Sequence, residues 1–284
     1  MKQRWSWMLS SLITCLLVIG QATAQRGFEV GGWLGTAYYF GDLNTNFDLM
    51  HPGIGAGLIA RYNLNTRLSF KVSGNYGFLR ADDSYSDNAF ERRRNINFRT
   101  HVGDLSGQFE FNFFPYIHGS RDHNFTPYLF AGFTLFTYSP YAIYDGERTP
   151  PLRELGTEGQ FVGEEYRSVH RAMNFGGGIK FDISEEWSIN VELSLRRLFT
   201  DYFDDVSTVY PDKGEVRGNR PLHEDIAVKA SDPSIPDAEG NLFGMEGRQR
   251  GNSKDNDSYN FLSVGILYYF GNLRCPKISQ TKQF

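Results

Sequence analysis

Apolar and polar residues alternate along this chain with a period of two. The clearest stretch is 67–78, where Leu68, Phe70, Val72, Gly74, Tyr76 and Phe78 share one face. Arg67, Ser69, Lys71, Ser73, Asn75 and Gly77 share the other. Strict alternation over this length predicts a strand with one apolar and one polar face. The same pattern predicts strands at 54–62, 105–113, 169–183 and 187–196, and weaker versions predict them at 28–41, 125–138 and 258–270. Upstream of 105–113, Phe98 and Val102 sit in the opposite phase to Leu105, which predicts a bulge near Gly103. The result is an all-β fold of eight antiparallel strands. An even number of strands of about ten residues each suits a transmembrane β-barrel of the outer-membrane type.

The connections point the same way. They run over 42–52, 63–66, 79–96, 115–124, 139–168, 184–186 and 203–257, so long and shorter ones alternate. Long extracellular loops at one rim and tight turns at the other are the asymmetry of such barrels, and it places both termini on the periplasmic side. The last loop is rich in Asp, Glu, Gly, Pro and Asn, and is predicted to be mobile or ordered only on a partner.

Composition removes the competing membrane architecture. Aromatic residues make up 15% of the chain, yet its mean hydropathy is −0.43, so beyond the N-terminus no apolar run is long enough for a spanning helix. A soluble eight-stranded barrel of lipocalin type would show the same period. Aromatic clusters at predicted strand ends (Tyr38-Tyr39-Phe40, Phe113-Phe114 with Tyr116, Tyr268-Tyr269-Phe270) favour the membrane, where interfacial girdles belong. So does the mixture of signs on the polar faces: Arg61, Lys71, Lys180 and Arg196 against Glu110 and Glu192 would form a salt-bridged plug in a narrow barrel.

The N-terminus reads as an export signal over 1–24. Lys2 and Arg4 precede an apolar stretch from Trp5 to Gly20, and Ala22-Thr23-Ala24 offers the cleavage site. The barrel is then expected over 25–271, with 272–284 as a periplasmic tail. Cys15 would leave with the signal, so Cys275 remains without an internal disulfide partner. Removal of Lys2 and Arg4 takes the formal net charge from −4 to −6, and no basic face of nucleic-acid-binding type is evident. The run Arg92-Arg93-Arg94 reads as a solvated loop segment.

Candidate chemistry is sparse. His101 and Ser106 share a strand, but a separation of five residues puts them on opposite faces unless a bulge intervenes. Asp201, Asp204 and Asp205 could meet a cation at the outer rim, although they lack the spacing of a calcium loop and read rather as a solvated loop start. Gly176-Gly177-Gly178 precedes no helix, which excludes a phosphate loop and suggests tight curvature. No Cys/His set has zinc-ligand spacing. The sequence therefore assigns no catalytic, cofactor-binding or metal-binding residue.

Several segments, in order, resemble the PorG-like outer-membrane barrel family of the Bacteroidota. They are Tyr39-Phe40-Gly41-Asp42-Leu43-Asn44, Phe109 to Tyr116, Thr126-Pro127-Tyr128-Leu129-Phe130-Ala131-Gly132, Glu154 to Gln160, Phe175 to Lys180, and Phe199 to Thr208. The resemblance covers nearly the whole chain after the signal, the insertion 211–257 least of all. It implies a non-enzymatic barrel associated with the type IX protein secretion system, with outer-membrane lipids around it. It also implies contact with the periplasmic ring formed by a lipoprotein and its ring partner. Two other readings stay open. One is a free-standing barrel that binds ligands through its loops 79–96, 139–168 and 203–257; the other is a barrel enzyme at the outer membrane.

Overall fold

The computed structural model describes residues 27–45 and 48–271. The expected signal 1–24 with Cys15, and the tail 272–284 with Cys275, lie outside the described residues. Eight strands close into an antiparallel barrel: β1 (Gly27–Phe40), β2 (Gly53–Asn63), β3 (Leu68–Asp82), β4 (Asn97–Asn112), β5 (Phe125–Tyr138), β8 (Val169–Asp182), β9 (Trp187–Leu198) and β10 (Ser258–Gly271). Each pairs with its neighbours in sequence, and closure is made by β1 against β10, where Gly27 faces Gly271. Closure leaves no free sheet edge, as a wall in lipid requires. Both ends of the barrel chain thus lie at the rim that also carries the short connections 64–67, 113–124 and 183–186. The opposite rim carries 41–52, 83–96, 139–168 and 199–257. Into these are set helix α1 (Ala89–Arg94), the two-residue strands β6 (Ile143–Tyr144) and β7 (Glu147–Arg148), and helices α2 (Leu152–Leu155), α3 (Lys213–Asn219) and α4 (Glu224–Ser231).

The period-two pattern does the work expected of it. Leu34, Leu58, Leu105, Phe109, Phe133 and Val264 point outward, and Leu34 and Leu58 are more than 70% exposed. An unbroken outward apolar belt on a closed wall is stable only against lipid. Polar residues point inward and are buried.

The bulge expected near Gly103 is absent. Pairing of β4 with β3 runs without a break from Phe111 to Asn97, and its pairing with β5 runs from Asn112 to Val102. Phe98 and Val102 simply face inward, both fully buried. The phase changes because the lumen changes: it is charged in its lower half and apolar toward the long-loop rim. Strand geometry stays regular while the solvent on each face differs.

Aromatic strand ends divide similarly. Phe113, Phe114 and Phe270 face out, as a girdle requires, whereas Tyr39, Tyr116 and Tyr269 turn into the lumen and are buried. The glycine triplet sits within β8, where tight curvature was expected. A Cβ at Gly176 would meet the Leu193 carbonyl oxygen at 2.1 Å, and one at Gly178 the Val191 carbonyl oxygen at 2.2 Å.

Candidate functional site

The lumen is the first place a small barrel could work, and here it is full. Alternation directs Glu29, Arg61, Lys71, Glu110, Lys180 and Glu192 to a common level inside. Arg61 lies 2.7 Å from Glu29 and 2.8 Å from Glu110, whose carboxylate also receives Lys180 at 2.6 Å and Lys71 at 3.4 Å. Lys71 reaches on to Glu192, which accepts a bond from the Tyr128 hydroxyl at 2.6 Å. Three cations thus face three carboxylates, so the layer is neutral and its charges compensate one another away from water. Above it, Arg196 pairs with Asp104 at 2.8 Å, and Asp104 also accepts from Asn75 and Tyr259. Trp33 donates to Asn75 at 2.8 Å. The space left at this level is about 10 Å³, less than a continuous water file needs. The expected salt-bridged plug is present, and the lumen is no conduit.

Both mouths are stopped. At the short-turn rim, segment 113–124 folds back under the barrel. His118 stacks on Tyr269 at 4.2 Å between ring centres and places its ring nitrogens 3.2 Å from Glu29 and 3.1 Å from Asp182. Tyr116 bonds to Asp182 beside it. Burial would depress His118, but the hydrogen bonds and charges of Asp182 and Glu29 outweigh it and raise its pKa to about 9. The tip at 119–123 stays largely exposed.

At the long-loop rim, Phe203 from the last loop drops into an aromatic layer. It stacks on Tyr259 at 5.5 Å and lies near Phe136 and Tyr138. The loop above it is folded, where the sequence led to an expectation of a mobile segment or one ordered only on a partner. Val206, Tyr210, Val216, Ala227, Ala230 and Phe243 give it a small core. Two buried arginines knit all four long loops together. Arg94 binds Asp83 and donates to the carbonyls of Asp42 and Arg250. Arg250 pairs with Glu158 at 3.1 Å and with Asp205 at 3.7 Å. The run 92–94 is therefore not simply solvated: Arg92 is exposed, Arg94 buried.

Asp201, Asp204 and Asp205 are likewise buried, not a solvated loop start. Asp204 and Asp257 flank the Tyr39 hydroxyl, which lies 2.5 Å from one and 3.0 Å from the other. Burial and the Asp257 carboxylate push Asp204 well above the usual range, and burial with the nearby Asp201 does the same to Asp257. Burial lifts Asp201 to about 7, and lifts Asp205 to about 6 against the opposing pull of Arg250. Among the described residues no group of three or more His, Cys, Asp or Glu side chains is placed to hold a metal ion. Two of these acids bind loop amides, Asp204 accepting from Val206 and Asp257 from Phe203, while Asp205 accepts from the Thr157 and Tyr166 hydroxyls.

His101 and Ser106 stay apart. Ser106 is buried in the lumen between Asp104 and Thr134, while His101 faces outward and lies 2.6 Å from the Tyr76 hydroxyl. A surface cleft of about 380 Å³ opens between 41–52 and 79–91, lined by Tyr38, Asp48, His51, Arg80, Tyr85 and Glu91. Sequence reading missed Glu29, Asp104 and His118. Parity could have found the first two, since they share inward phase with Trp33 and Ser106; nothing in the sequence marks a turn residue such as His118 as folding inward.

A closed, plugged, eight-stranded barrel with an outward apolar belt defines a membrane protein of the outer-membrane type. Within that class the chain belongs to the DUF6089 family, described as a domain of unknown function, whose model matches residues 7–219. No curated protein matches it. Among solved structures it is similar to Neisserial surface protein A, at 12% identity and a TM-score of 0.43 over 86% of this chain and 97% of that one. It is also similar to OprG of Pseudomonas aeruginosa, at 9% identity and a TM-score of 0.42 over 88% and 98%. Outer membrane protein W of E. coli matches at 11% identity and a TM-score of 0.34 over 87% and 100%.

Proposed function

We propose that this chain is a non-enzymatic outer-membrane barrel that serves as an accessory or anchoring subunit of the type IX protein secretion system. In this reading both termini are periplasmic, and the short-turn rim contacts the periplasmic ring lipoprotein and its ring partner. The observation that carries it is the sealed lumen. A barrel that cannot pass cargo acts through its rims, and the ordered resemblance of its sequence to PorG-like barrels supplies the machine. The exposed tip 119–123, anchored from behind by Tyr116 and His118, is the candidate contact at that rim. The test is affinity capture of tagged protein from gently solubilised outer membranes, with bound proteins identified by mass. Recovery of ring components, lost on replacing Arg121 and Asp122 by Ser, is the expected result. Recovery of the barrel alone from membranes with an intact machine overturns it.

The folded cap favours a second reading, a free-standing barrel that binds a ligand through its loops. Four loops locked by Arg94 and Arg250 present a preformed surface with the cleft described above. Trimming 211–249 would then abolish binding at the cell surface while leaving secretion intact.

A further inference from the structure

The outward faces of the eight wall strands carry formal charge at five positions: Arg80, Asp82, Arg99, Arg171 and Arg197. All lie within three residues of the long-loop end of their strand. Asp82 spends its carboxylate on the Ser84 amide at 2.9 Å. None of the four arginines has an ion-pair partner among the described residues. Arg80 and Arg99 are direct cross-strand partners, an arrangement of like charges that disfavours the pair unless an anion sits between them. Arg99 also bridges to Tyr141, and Arg148 of β7 lies 3.8 Å over the Tyr141 ring. Arg80, Arg99 and Tyr141 are thus neighbours across adjacent backbone segments at one level of the wall, and the Arg148 guanidinium lies on the Tyr141 ring. From Tyr141 at that level, His101 and Tyr76 continue a ladder of rings, and then the aliphatic belt begins at Leu105 and Leu135. Among the described residues the outward strand ends at the other rim carry no charge; they include Phe28, Phe111, Phe125, Phe181, Trp187 and Phe270.

We propose that Arg80, Arg99 and Arg148 bind the phosphates of lipid A, the phosphorylated and multiply acylated glycolipid anchor of the outer leaflet. Guanidinium forks match phosphate oxygens, and the apolar wall beneath receives the acyl chains. This rests on the outer-membrane placement with the long loops outside.

The test is native mass spectrometry of the whole refolded barrel in neutral detergent. It would be offered bisphosphorylated lipid A, dephosphorylated lipid A, or phosphatidylglycerol. Lipid A should be retained at least tenfold better than either of the others. The triple variant Arg80→Gln, Arg99→Gln, Arg148→Gln should lose that preference, at about fivefold per arginine. Arg121→Gln, at the other rim, should keep it. Equal retention by wild type and triple variant overturns the site, and equal retention of phosphatidylglycerol overturns the choice of lipid A. Orientation is read separately by labelling Leu222→Cys on intact cells in a Cys275→Ser background. Surface labelling without lipid A retention sinks only the lipid proposal; absence of surface labelling sinks the placement.

Discussion

Arg61 and Glu110 face each other inside the barrel with the guanidinium Nε 2.8 Å from a carboxylate oxygen, and neither side chain touches solvent. Glu110 is the hub, because Lys71 and Lys180 converge on it as well. Glu110→Ala leaves a surplus of buried positive charge, and loss of one partner from a buried pair costs about 3–5 kcal/mol. Urea unfolding followed by heat-modifiable gel mobility measures this directly. A cost near zero would mean that water reaches the layer and that the lumen is not sealed.

The tightness of the wall can be tested at two glycines that face opposite ways. A Cβ at Gly57 would meet Trp33 Nε1 at 2.3 Å, Asn75 Oδ1 at 2.7 Å and the Gly74 carbonyl at 2.7 Å. A Cβ at Gly74, on the outward face, meets nothing within 4 Å. Gly57→Ala should cost about 1–3 kcal/mol by overpacking, and Gly74→Ala should fall within about 0.5 kcal/mol of neutral. Equal effects in the same unfolding assay would contradict the inward packing of Trp33.

All eight wall strands were legible in the chain because alternation survives wherever one face meets lipid and the other a polar lumen. It failed as a guide where that contrast fails. Phe98 and Val102 are apolar on the inward face, since the upper lumen is filled by Phe136, Phe203 and Tyr259. A phase change alone cannot separate that from a bulge. The cap was illegible for a different reason. Its 199–257 segment is polar by composition, and its order comes from a few buried apolar residues and two arginines whose partners are 11 to 156 positions away. Composition averages such contacts away. The same averaging hid the buried state of Asp201, Asp204 and Asp205, which look like solvent-facing acids until Tyr39 and the loop amides are placed around them.

Those acids make the cap sensitive to pH. Asp204 and Asp257 face Tyr39, Asp42 and Asp201, and their folded-state pKa values lie above the usual carboxylate range, as do those of Asp201 (about 7) and Asp205 (about 6). A carboxyl raised on folding binds more protons in the folded state. Its stabilising contribution is complete below the ordinary value near 4 and is lost as pH rises through the folded value. The cap should therefore loosen between pH 5 and pH 8. Hydrogen exchange over 199–257 is expected to speed up across that window, and Asp257→Asn should flatten the response. A cap that tightens with rising pH would reverse the sign of the argument.

The stopper at the short-turn rim has its own pH dependence, set by one ring. His118 faces Glu29 and Asp182, with Tyr116 and Tyr269 packed against it, and its folded pKa of about 9 exceeds the unfolded value near 6.5. Its stabilisation is fully present below pH 6.5 and disappears as pH rises through 9. At about 1.4 kcal/mol per pKa unit the contribution is of order 3 kcal/mol. Wild-type barrel should lose that amount between pH 6.5 and pH 10, on top of any loss shared with the variant. His118→Gln, which keeps a ring-sized polar group but no charge, should be weaker at neutral pH and should lack that component. The segment 113–124 should also be cleaved faster by protease in His118→Gln while β5 and β8 stay protected, because the imidazolium's pairs with Glu29 and Asp182 add to the bonds that Tyr116 makes to Asp182 and to the Thr66 carbonyl. If the variant and the wild type share one pH profile, His118 is held by packing against Tyr269 alone, and the charge it shares with Glu29 and Asp182 contributes nothing to closure.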